Sequence, residues 1–471
     1  MKASLLLPLI SLVSGSLIIE DPSDILREQQ WASDNAIKAD YDVPVIYYQT
    51  ISNVAPYNVA HQRKTLQNAE LKEESNDTSV LIATGGSIVN VKDSEVIKFG
   101  YSSNLVQASF FGVNAAVLAA NHSRLYLSDV NITTHNGAAN VYAYGTDTLI
   151  DAENIWLYSS GPTAHGLYAS GNGTIIARNV QVYSGGNRCS AFSGDNPAGY
   201  LYIRDSVAHT GGVGSAIGFV LGEMNLTNVF GSADRSPAFF TIGGAVGSCT
   251  NCELTAGLLA GLIIFSLGKS SGVNYFYLDH TRLVVTHETA PALWFGSVVG
   301  EVYVRHTELV TKSGLLAVAN YSTITQEFNF YGGYVDNPSA ISTADGRVFV
   351  EDSTLTGDLV AYNSSTLGLH LSDNSFWTGK GYIGYGNAEL GVALDASSIW
   401  NVTGNTALLN LTNADATFSN VQGNGYSVKY NDSAPANRPL RGRTFILKGG
   451  GTVSPTTKEW SQYSVNSGRE D

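Results

Sequence analysis

The chain has 471 residues, of which 44% are apolar and only 14% charged, with 49 Gly, 25 Tyr and 2 Met. A chain short of Lys, Glu, Met and Arg but rich in Gly, Val, Thr, Tyr and Phe disfavours a helical bundle and favours extensive β-structure. The formal net charge of −14, from 26 Lys+Arg against 40 Asp+Glu, opposes the basic face that general nucleic-acid binding needs.

Met1-Lys2, the apolar run Leu5 to Ile10 and the small residues Ser14-Gly15-Ser16 read as a secretory signal peptide over 1–16. This apolar core falls short of the roughly 20 residues a membrane span needs. The run Leu258 to Leu267 is short as well, so no span is expected. Residues 17–80 do not follow the repeat that comes next. Their helix-compatible stretch Glu20 to Ala39 is expected to cap the N-terminal edge of an array.

Over 81–433 one plan recurs: alternating apolar positions, a polar turn residue, more alternation, then a Gly/Ser-rich turn and a third short apolar run. The turn positions Asp129, Asn154, Asn179, Asp205, Asn228 and Asn251 are spaced by 25, 25, 26, 23 and 23 residues, and His280, His306, Asp352 and Asp373 continue the series less regularly. Third runs such as Val141-Tyr-Ala-Tyr, Gly166-Leu-Tyr-Ala, Ala238-Phe-Phe-Thr and Leu293-Trp-Phe close each unit. Three short strands per repeat of this length predict an all-β fold, a single-stranded right-handed parallel β-helix of about a dozen rungs. Alternation places Leu125, Leu127, Val130 and Ile132 inside the coil and Tyr126 and Asn131 outside. No rung buries its own faces, so neighbours must stack, and the Asn/Asp column is suited to a side-chain ladder along the rod. The turn-rich tail 434–471, with Arg438-Pro-Leu-Arg-Gly-Arg, is expected to cap the far end.

Ten Asn-x-Ser/Thr sites, at Asn76, Asn121, Asn131, Asn172, Asn225, Asn320, Asn363, Asn401, Asn410 and Asn431, accord with a glycosylated, secreted protein. Cys189, Cys249 and Cys252 are too few for a disulfide framework and read as structural, a local disulfide or buried thiols. Polysaccharide hydrolysis needs two facing carboxylates. Yet the sequence has none of the Asn-Thr-Asp, Asp-Asp or Gly-His-Gly motifs of polygalacturonases. Tyr277-Leu-Asp-His280 is similar to a pectate-lyase motif but lacks its Arg-x-Pro-x-x-Arg partner, and Asp279 and His280 fall in the turn column. No nucleotide, metal-protease or serine-hydrolase fingerprint occurs, so neither a cofactor nor a metal is implied. Outward aromatic positions stand out instead: Trp156, Tyr158, Tyr183, Tyr202, Tyr277, Tyr303 and Phe349, interleaved with His165, Arg178, Arg188, Arg204 and His209. Cross-rung stacking and Glu153–Arg178 surface pairing account for such residues singly. Grouped, they have the make-up of a small-molecule site.

A signal peptide, many sequons, Trp31 to Asp34 (Trp-Ala-Ser-Asp) ahead of Tyr41 to Tyr48 (Tyr-Asp-Val-Pro-Val-Ile-Tyr-Tyr) and a degenerate β-helix without pectinase motifs together resemble the fungal hetero-Diels-Alderases of tropolonic sesquiterpenoid biosynthesis. The resemblance covers most of the chain and rests on no catalytic motif, so no residue role is carried over by it. It implies a cofactor-free pericyclase. A hydroxymethyl tropolone loses water to a quinone methide, which adds across an alkene of a humulene-type sesquiterpene to form a meroterpenoid. On that reading Arg188 or Arg204, with His165 and His209, hydrogen-bond the tropolone, while Trp156, Tyr158, Tyr183, Tyr202 and Trp294 shape the apolar pocket. Two other readings stay open: a secreted polysaccharide-active or carbohydrate-binding β-helix, and a non-enzymatic cell-surface rod. Extended outer apolar surface also suggests a homodimer.

Overall fold

The computed structural model describes residues 54–102, 105–135, 137, 139–266, 272–320, 343–362 and 364–456. The signal-peptide and helix-compatible stretches of the N-terminus, Asn363 and residues 457–471 lie outside them. The described chain is a parallel β-solenoid of about 15 turns, somewhat more than the dozen expected. One turn of the difference lies at the start. The strands Tyr57–Ala60, Arg63–Gln67 and Glu70–Glu73 pair in parallel with Leu81–Thr84 and Ile88–Lys98, so the coil begins near Tyr57 and not at residue 81. Short alternating segments such as Lys64-Thr-Leu-Gln hide this turn among charged residues.

Each turn has three faces, seen well in one unit: a third-face strand (Leu167–Ser170), then a long strand (Thr174–Ser184) bent at Asn179 into first-face and second-face halves. The bend is a corner with the residue in the left-handed region. All ten turn positions read from the sequence have positive φ, from 41° at Asp352 to 56° at Asp129. Asn and Asp tolerate this conformation better than most residues because their short polar side chains bond locally. Along the column they also bond to one another: Asn154 Nδ2 donates to Asp129 Oδ1 (3.2 Å), Asn179 Nδ2 to Asn154 Oδ1 (2.7 Å) and Asn228 Nδ2 to Asp205 Oδ1 (2.8 Å).

Inside the coil one apolar cluster runs from Val59 to Val453, with Leu125, Leu127, Val130 and Ile132 buried as alternation requires. Near the C-terminal end it holds the stacked indoles of Trp377 and Trp400, whose ring centroids are 4.9 Å apart. Each indole N–H donates to a backbone carbonyl, of Gly357 and Gly379 respectively, both at 2.9 Å. Cys189, Cys249 and Cys252 are buried free thiols. In the tail, the 3-10 helix Pro435–Leu440 and the antiparallel pair Phe445–Ile446 with Thr452–Thr456 close the end of the stack. Among the described residues no helix is long and apolar enough to cross a membrane, and Leu262–Phe265 is a core strand.

Candidate functional site on the covered third face

The central residue of each third-face strand points out of the coil, and on most rungs it is apolar. The register runs Ile82, Leu118, Tyr142, Tyr168, Ser193, Phe219, Phe240, Ile263, Trp294. An outward apolar column must be covered. Over Tyr142 the cover is the short helix α1 (Leu105–Phe111). Tyr142 Oη donates to the Ser109 carbonyl (2.7 Å) and lies 2.6 Å from Ser170 Oγ, which itself donates to the Phe110 carbonyl (3.1 Å). Burial pushes the Tyr142 phenol well above its ordinary range.

Beside this ring a set of polar groups converges. Tyr168 stacks on Tyr142 at 4.8 Å and donates from its hydroxyl to Asp195 Oδ2 (2.6 Å), while the Asn196 N–H donates to Asp195 Oδ1 (2.7 Å). Burial raises the Asp195 pKa against both hydrogen bonds. His165 meets the Tyr168 ring edge-on at 4.6 Å. Its Nδ1 accepts the Ser190 backbone N–H (3.1 Å) and lies 3.3 Å from Ser193 Oγ. An Nδ1 that accepts leaves the proton of the neutral ring on Nε2. Burial, and next the charge of Arg188, hold the imidazole down to about 3, so it is neutral at physiological pH and offers an Nε2–H donor. Aromatic walls, a neutral imidazole, a carboxyl of raised pKa and a nearby guanidinium are the perturbed and convergent groups that mark functional sites.

The sequence-predicted site is thereby divided. His165 and Arg188 fall in this cluster, in the loops entering two successive third-face strands. Trp294 belongs to the same outward column but five strands away, roughly 24 Å at about 4.8 Å per rung. On the second face Tyr158 stacks on Tyr183 (5.1 Å) and Tyr183 meets His209 edge-on (5.2 Å), with Trp156 beside them and His209 Nε2 2.9 Å from Asp234 Oδ2. Tyr202 and Arg204 stand on the first face, where Arg178 and Glu153 make the expected pair. The nine residues do not share one pocket. Tyr142, Tyr168, Ser193 and Asp195 were missed, although the tyrosines were legible as apolar residues at the middle of a third run.

On the first face the register Tyr277, Tyr303, Phe349, His370 is a ladder of rings with centroids 4.7 to 4.9 Å apart and planes within 20°. Ring faces there cover one another, which is the cross-rung stacking read from the sequence. The ladder ends where His370 is followed by Ala393, and the adjoining column passes from Arg347 to Gly368 and Gly391. Loss of side-chain volume at these positions leaves a cleft of about 360 Å³, lined by His370, Arg347, Asp345, Glu389, Asn410 and Thr412 among others. Arg347 is held by Asp345 (2.7 Å) and Glu301 (3.2 Å).

Of the sequons, Asn76 and Asn121 are exposed, and Asn172, Asn225, Asn320, Asn401, Asn410 and Asn431 partly so. Asn131 points away from the coil as expected, yet its side chain is covered, only 1% exposed, so a glycan has no room there on the folded chain.

Comparison of the chain with protein-family models, with curated proteins and with solved structures gives no match.

Proposed function

We propose that the protein is a secreted, cofactor-free hetero-Diels-Alderase whose substrates bind against the third face beside His165, Tyr168 and Asp195. The observation that carries this reading is the neutral His165 donor set between an aromatic wall and a carboxyl of raised pKa. The chemistry asks for little more. The ring hydroxyl of the tropolone gives its proton to Asp195, the leaving hydroxyl takes that proton from it, and water is the by-product. His165 Nε2–H and Arg188 then bond the quinone-methide oxygen as it gains charge, a role in which fixed donors are worth most where water is excluded. Holding the two partners face to face supplies several kcal/mol of the barrier by removing translational freedom. The test is to incubate the chain with a hydroxymethyl tropolone and a humulene alcohol and follow the adduct by chiral chromatography. Acceleration with one stereoisomer supports the reading, and a racemic rate equal to the protein-free control removes it.

A second reading, binding of a saccharide, is favoured by the first-face cleft. Asp345, Glu301 and Glu389 outnumber Arg347, which disfavours an anionic ligand. Burial, and next Arg347, keep His370 below its ordinary range, so its open ring face is a neutral platform for a hydroxyl-rich guest. Calorimetric titration with neutral oligosaccharides checks it, with Gly391→Val as the blocked control.

A further inference from the structure

At two successive corners the Asn/Asp column changes to histidine, His280 and His306, with φ of 48° and 45°. Their rings lie 4.3 Å apart and converge on one carboxylate: Asp279 Oδ1 is 2.9 Å from His280 Nδ1 and 3.4 Å from His306 Nδ1. One ligand atom from each of the three residues lies within 4.8 Å of the others. Nitrogen and oxygen ligands about 2.0–2.2 Å from a tetrahedral zinc stand roughly 3.3–3.5 Å apart, so small side-chain rotations place all three on one ion. Behind His306 there is a second, independent feature. Its Nε2 is 3.1 Å from Asp352 Oδ2, the backing carboxylate that fixes a ligating imidazole with its other nitrogen free for metal.

The geometry points to a divalent zinc site formed by Asp279, His280 and His306, with Asp352 as the positioning residue. Two imidazoles and one carboxylate suit zinc better than calcium or magnesium, which take oxygen ligands. A cavity of about 740 Å³ lies against His306 and Asp352, on the side of the backing carboxylate. The site sits at the corner between the first and second faces, apart from the third-face cluster, and does not depend on the activity proposed there.

A hydrogen-bonded corner without metal predicts different behaviour, and the column itself supplies the variants that separate the two. His280→Asn and His306→Asn restore the side chain found at Asn154, Asn179 and Asn228, and keep the left-handed corner. The full chain, stripped with EDTA, is titrated with Zn²⁺ by calorimetry and with Co²⁺ by visible absorption. The parent should bind one ion with a tetrahedral Co²⁺ spectrum. Each histidine variant should bind at least about 10-fold more weakly, and Asp352→Asn about 10- to 100-fold more weakly, with unchanged far-ultraviolet dichroism. Absence of stoichiometric binding by the parent, or unaltered affinity in the double histidine variant, overturns the site.

Discussion

The first and third faces both carry outward aromatic columns stacked rung on rung, but one is open and the other is roofed. Tyr277, at the end of the first-face ladder, is 42% exposed, whereas Tyr142 and Tyr168, stacked at a similar distance, are 0% and 1% exposed under or beside α1. Residue type and register are alike, so neither makes the difference. Cover does. Roofed by α1, Tyr142 titrates well above its usual range, and the groups that line its neighbour Tyr168 are shifted in opposite senses: His165 is neutral and Asp195 protonates more readily.

Removing one ring from each face should show the contrast most strongly. Tyr142→Ala deletes a buried ring and orphans the Ser109 carbonyl and Ser170 hydroxyl contacts, and should cost about 3–5 kcal/mol in chemical denaturation. Tyr303→Ala removes one member of a half-exposed stack and should cost only about 1 kcal/mol. Equal losses would erase the distinction between the faces.

Acid should then find the roofed face first. Because His165 is depressed from 6.5 to about 3 in the folded chain, the unfolded chain takes up its proton across that window. Stability therefore falls as pH falls below 6.5. Between pH 6.5 and 5 the parent should lose up to about 2 kcal/mol more than His165→Gln, at about 1.4 kcal/mol per pH unit. Identical pH profiles for the two would mean that the imidazole is solvated.

The corner column between the first and second faces recurs from rung to rung, and Asn179→Ala tests it. Alanine at φ 51° loses the amide link to Asn154, so the expected cost is about 1–2 kcal/mol, with Asn179→Gly less affected. Smallest of all should be Gly391→Val. The nearest atom to a Cβ there is 3.6 Å away, so the substitution fills the open cleft with a change in stability below about 0.5 kcal/mol while abolishing any saccharide binding. A large destabilisation would show that the cleft is not empty space beside the ladder.

Periodicity carried most of the fold. Every corner from Asp129 to Asp373 was legible because a left-handed turn selects Asn, Asp or His, at near-regular intervals as far as Asn251 and less evenly beyond it, and alternation correctly divided Leu125 and Leu127 from Tyr126. The turn around Tyr57 was not legible, since its exposed strands are charged and lack the apolar run. The candidate site was half legible. His165 and Arg188 were picked for their chemistry, but alternation says only that a side chain leaves the coil, not which face it leaves from or what roofs it. Tyr202, Arg204 and His209 were thus grouped with residues on other faces. Asp195 carried no signal at all, because its role depends on the Tyr168 hydroxyl reaching it from the neighbouring rung.

The most direct measurement compares His165→Gln with Arg204→Ala in the cycloaddition assay, alongside the parent. His165→Gln should lose rate acceleration and stereoselectivity while Arg204→Ala, on the open first face, keeps both. Loss with Arg204→Ala and retention with His165→Gln would place the chemistry away from the covered third face and contradict the account.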